Sequence, residues 1–67
     1  MNSRTQRAET ILAEYCRLKG EPLDCHETGI IDLMADLMHL ARTENLDGCN
    51  LSRMAQMHFL VETEASS

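Results

Sequence analysis

The stretch Ile30-Ile31-Asp32-Leu33-Met34-Ala35-Asp36-Leu37-Met38-His39-Leu40-Ala41 decides the fold. Apolar and polar residues do not alternate along it, so it does not read as a half-buried strand. At 100° per residue, Ile30, Ile31, Leu33, Met34, Ala35, Leu37, Met38, Leu40 and Ala41 cover roughly 220° of a helical wheel, against about 100° for a helix resting on a single layer. Thr28, Asp32, Asp36, His39 and Thr43 fill the remaining stripe, about 80° wide. A helix with so broad an apolar arc needs cover on more than one side, which makes it the central element of an all-α fold.

Flanking signals place two further helices. Upstream, Asp24 with Glu27 offers a capping arrangement that starts helix two near Cys25, and the segment is expected to run over 25–44, about 28 Å at the usual helical rise. Before it, Ser3 and Gln6 form a capping-box signature for a first helix over 4–19. Its apolar residues Ala8, Ile11, Leu12, Tyr15, Cys16 and Leu18 fall within about 160° of the wheel. Gly20 suits the left-handed position after a helix, and Pro22 prevents continuation. Downstream, Leu46-Asp47-Gly48 reads as a turn, with Asp47 as N-cap of a third helix over 48–64 and Asn50 as the second choice. Leu51, Met54, Ala55, Met57, Phe59 and Val61 give that helix its apolar face, with His58 in the middle. The last residues, about 63–67, carry little apolar anchorage and are expected to fray. No repeat, low-complexity tract or linker interrupts the 67 residues, which are read as one domain.

A chain of this size buries only about 60% of the surface that its unfolded form exposes, so its stability is marginal without a staple. Cys16, Cys25 and Cys49 are odd in number and match no zinc or redox spacing, which argues against disulfides and for a reducing, cytoplasmic setting. No secretory signal core and no apolar run of about 20 residues is present, so no membrane partner is expected. The net charge of −5, with eleven acids against six scattered bases, argues against DNA binding. Tyr15 and Phe59 are the only aromatic residues and supply no platform for stacking bases. Association with a partner chain remains as the staple.

Few residues suggest chemistry. Asp32, Asp36 and His39 project from one side of helix two, and two carboxylates with an imidazole could hold a divalent ion. Helical-bundle metal sites draw ligands from several facing helices, however, and helices one and three offer only Glu9, Glu14 or His58. A solvated stripe that keeps an apolar helix wettable is the simpler reading, with Arg17, Lys19 or a partner's basic group relieving the Asp32–Asp36 repulsion. The paired acidic helices of all-α nucleotide pyrophosphohydrolases are not reproduced, since helix three has no acid before Glu62. Cys25 beside His26 could suggest a thiolate–imidazole nucleophile, but without an orienting group the thiol reads as a small buried residue. His58 reads as a core or interface histidine, or as a pH-sensitive subunit contact. Met34, Met38, Met54 and Met57 read as core fillers ahead of an adaptable groove. No cofactor and no enzymatic activity are expected.

The residues 31–41 together with Leu46-Asp47, Arg53-Met54-Ala55 and His58-Phe59 resemble a group of small uncharacterised helical proteins of bacteria, phages and plasmids. The resemblance covers about residues 30–62. It implies that helices two and three form the recognisable unit, and it carries no activity.

The sequence therefore leads to a three-helix module packed as a dimeric helical bundle, working by protein–protein interaction. Ile30, Ile31, Met34, Leu37, Met38, Ala41, Met54 and His58 are the expected interface, with a second copy of the chain as partner. The alternatives are a regulatory adaptor of a mobile element that binds a host or replication protein, and a helical dimer that binds RNA as the plasmid copy-number protein Rop does.

Overall fold

The computed structural model of the protein describes residues 3–22 and 25–66, the last two as backbone alone. It contains three α-helices, α1 (Ser3–Lys19), α2 (His26–Thr43) and α3 (Gly48–Ser66), and no strand among the described residues. The chain groups into two compact units, Met1–Ala35 and Asp36–Ser67, with the boundary inside α2. Helix α2 thus divides its length: its first half belongs with α1 and its second half with α3.

Helix α1 ends as its sequence dictates. Gly20 takes a φ of 72°, and its N–H donates to the Arg17 carbonyl at 3.1 Å while the Glu21 N–H donates to the Cys16 carbonyl at 3.1 Å. The two bonds satisfy carbonyls that the last turn leaves without helical partners. At the other end Ser3 is itself helical, so the capping position precedes it and lies outside the described residues. Asp24, the expected cap of α2, is outside them too. The first bond of α2 runs from the Gly29 N–H to the Cys25 carbonyl at 3.0 Å, which makes Cys25 the boundary residue.

Helix α2 stops at Thr43, one residue short of the expected end, through the same C-terminal motif as α1. The Asn45 N–H donates to the Arg42 carbonyl at 3.1 Å, and the Leu46 N–H donates to the Ala41 carbonyl at 2.8 Å. Asn45 holds a φ of 60°, a region that asparagine enters more readily than other non-glycine residues. Asp47 then caps α3 as expected. Its Oδ1 accepts from the Cys49 N–H at 3.0 Å and the Asn50 N–H at 3.3 Å, and its carbonyl takes the first helical bond from Leu51. Asn50, inside the helix, accepts instead from the Arg53 guanidinium at 2.8 Å.

Gly48 has a steric role in the second unit. A Cβ there would lie 3.2 Å from the Met38 Cβ, so the absence of a side chain lets the start of α3 lie directly on α2. Helix α3 then continues to Ser66, through residues expected to fray. No Gly or Pro follows Gly48 to break it, and the Thr63 hydroxyl donates back to the Phe59 carbonyl at 2.6 Å.

The core is small. Leu12, Cys16 and Ala41 are the buried apolar side chains among the described residues, at 4%, 6% and 6% exposure. Leu12 and Cys16 stand four residues apart on α1, with Tyr15 half-buried beside them. The broad apolar face expected for α1 is therefore used only along a narrow stripe, and Ile11 and Leu18 remain exposed. Within α1–α2 packing, a helix with a single neighbour can bury one stripe and no more.

Candidate interaction surface

In the first unit, polar contacts tie α1 to α2. The Tyr15 hydroxyl donates to the Asp32 carbonyl at 3.1 Å. Lys19 Nζ donates to Asp32 Oδ2 at 3.0 Å, lies 3.4 Å from a Glu21 carboxylate oxygen, and sits 4.9 Å from the centre of the Tyr15 ring. Lys19 is thus the cation that Asp32 recruits. Arg17, the other candidate, pairs with Glu14 on its own helix; that bond lowers the Glu14 carboxyl below its ordinary range and raises the Arg17 guanidinium.

The hydrogen bond to Asp32, with help from Glu21, holds the Lys19 ammonium above its ordinary value of 10.5. A group whose pKa is raised by folding stabilises the fold fully below its unfolded value, and loses that contribution as the pH climbs through the folded one. The stability difference between wild type and Lys19→Gln is therefore expected to be constant from neutral pH to about 10 and to shrink above it. Urea unfolding from pH 7 to about 12 reads this directly; a difference unchanged across the alkaline range would contradict the assignment.

In the stripe considered for a metal, Asp32 is engaged by Lys19, while Asp36 and His39 are exposed. Among the described residues no group of three or more His, Cys, Asp or Glu is placed to hold a metal ion. The Cys25–His26 pair has an orienting group that the sequence did not reveal: His26 Nε2 lies 3.2 Å from Glu9 Oε1, seventeen residues earlier. Cys25 itself is exposed, contrary to the buried role expected of it, and nothing excludes water from any of the three side chains. None of the three cysteines forms a disulfide. No helix among the described residues is long and apolar enough to cross a membrane.

What the structure does present is apolar surface. Ile30, Ile31, Met34, Leu37, Met38, Met54 and His58 from the expected interface are all exposed, Leu37 at 54% and Met54 at 46%. Ala41 departs from that expectation. It is buried within the protomer at 6% exposure, and its carbonyl accepts from the Leu46 N–H. The four methionines expected to fill the core, Met34, Met38, Met54 and Met57, are exposed as well.

Spacing along α2 gives this surface an order. Ile30, Leu33, Leu37 and Leu40 follow one another at intervals of three, four and three residues. That interval keeps apolar side chains on one seam of a helix and lets them insert between those of a facing helix. Leu33 is half-buried, and the other three are exposed. Comparison with family models, with curated proteins and with solved structures yields no match to any of them.

Proposed function

We propose that the chain is a non-catalytic protein–protein interaction module that works as a homodimer, with α2 at the centre of the contact. One observation carries this reading: the most apolar helix of the chain displays a seam at coiled-coil spacing whose members Ile30, Leu37 and Leu40 stand about half in water. Covering one such side chain is worth about 1.5–3 kcal/mol when complete, and a small domain has only about 5–15 kcal/mol of net stability in all. A second copy presents the same seam, so a two-fold contact covers both sets at once. Three cysteines without a disulfide suit a reducing cytoplasm, the setting in which such a module would operate.

Sedimentation at micromolar concentration tests the reading. The expected species has twice the 7.6 kDa mass of the chain. A compact particle of single-chain mass, stable across the concentration range, would remove it.

A further inference from the structure

We infer that Asp47–Gly48 is a latent isoaspartate site held shut by the cap of α3: the Asp47 carboxyl closes on the Gly48 nitrogen once the first turn of α3 opens, and the product cannot rebuild that turn. The pair lies wholly within the second unit, and its chemistry requires no partner.

Asp47 is the only aspartate or asparagine of the chain that is followed by glycine. A side chain on the following residue crowds the backbone nitrogen and hinders its attack on the preceding carboxyl, whereas glycine leaves that nitrogen open. Here the glycine is imposed by packing. A Cβ at position 48 would lie 3.2 Å from the Met38 Cβ, 3.3 Å from its Cγ and 3.4 Å from its Cα. The Cβ and Cα of Met38 move only with the backbone of α2, so no side-chain rotation relieves the crowding. The close approach of α3 to α2 therefore carries a reactive pair with it.

The reaction is a dehydration followed by a hydration. The Gly48 nitrogen loses its proton and bonds to Asp47 Cγ, and one carboxyl oxygen leaves as water, which closes a five-membered imide. Water then opens the ring. Addition at Cγ restores aspartate, while addition at the Asp47 carbonyl carbon leaves the chain running through Cγ, with one extra carbon in the backbone. The mass is unchanged overall, and water is the sole co-reactant.

In the folded chain the same carboxylate is committed elsewhere. Its Oδ1 accepts from the Cys49 N–H at 3.0 Å and the Asn50 N–H at 3.3 Å, and the Asp47 carbonyl accepts from the Leu51 N–H at 3.0 Å. These bonds hold Asp47 by both its side chain and its main chain. Ring closure turns Cγ onto the Gly48 nitrogen and pulls Oδ1 away from both N–H groups, so it waits for the first turn to open, a local fluctuation typical of helix ends. Isoaspartate has a displaced carboxylate and a longer main chain, so neither acceptor returns to its donors. The start of α3 is then left without its cap where it lies against Met38.

Incubation of the intact chain at physiological temperature and neutral pH, folded and in urea above its unfolding midpoint, tests the inference. Electron-transfer fragmentation distinguishes isoaspartate from aspartate at position 47. Isoaspartate is expected to accumulate at least about tenfold more slowly in the folded chain. The isomerised chain, separated by chromatography and returned to native buffer, should exchange the amides of Cys49, Asn50 and Leu51 at least about tenfold faster than the unmodified chain. Asp47→Ser keeps a capping oxygen without the carboxyl and should hold that protection through the same incubation. Equal rates in the folded and unfolded chain would overturn the lock, and no isoaspartate at 47 even in urea would overturn the site. An isomerised chain whose amides at 49–51 stay protected would overturn the structural consequence.

Discussion

On the proposed self-association through α2, Leu37→Asp is expected to give single chains, weakening association by on the order of 10²- to 10⁴-fold. Leu37 is 54% exposed, so within one protomer the substitution touches little. A surface change of that kind ordinarily alters stability by no more than about 0.5 kcal/mol. If the seam of α2 faces its own copy, the same change removes an apolar side chain from both sides of the contact and puts a carboxylate in its place. Each lost leucine forfeits about 1.5–3 kcal/mol, and a charge without a partner in a closed contact costs more. Leu18→Asp supplies the comparison: Leu18 is 72% exposed and lies on α1 rather than α2, so it should leave the mass unchanged. Sedimentation of the two variants beside wild type decides the matter. A Leu37→Asp chain that remains dimeric at the wild-type concentration would refute a contact through α2.

The elements themselves were legible because their punctuation is local. Gly20 and Asp47 each act through bonds to residues at most four positions away, and such patterns can be read from a single sequence. Asn45 was not singled out, since asparagine in a polar turn is ordinary until its φ is known, and the turn was placed one step later at 46–48. The breadth of the apolar arc on α2 was also legible, but where its neighbours lie was not. A helical wheel gives angles and no positions along the axis, so it could not show that α1 and α3 divide the helix between its two halves. For the same reason the wheel groups Ala41 with its exposed neighbours although it is buried and its carbonyl accepts from the Leu46 N–H. The choice of Lys19 over Arg17 as partner of Asp32 depended on contact between helices, as did the approach of Glu9 to His26, and neither leaves a trace in spacing.

Leu12→Ala should have the largest effect on the first unit, because Leu12 is the most deeply buried large side chain described, at 4% exposure. Truncating a buried leucine removes its transfer free energy and leaves a cavity, a combined loss of about 2–5 kcal/mol. The stripe it belongs to is one side chain wide. Cys16 lies one turn further on, and Tyr15 and Lys19 are held by their bonds to Asp32. A loss of this size approaches the whole stability of a small domain and should lower the urea midpoint steeply. Ile11→Ala, one position away but 54% exposed, should shift the midpoint only slightly, about 0.5 kcal/mol. The ratio between the two variants is the informative quantity, because both remove aliphatic carbon from adjacent helical positions and differ mainly in burial. If α1 instead lay in the dimer contact through its outer face, Ile11→Ala would cost as much as Leu12→Ala and would lower the mass as well. Equal midpoint shifts would therefore reassign Ile11 to a covered surface and extend the proposed contact onto α1.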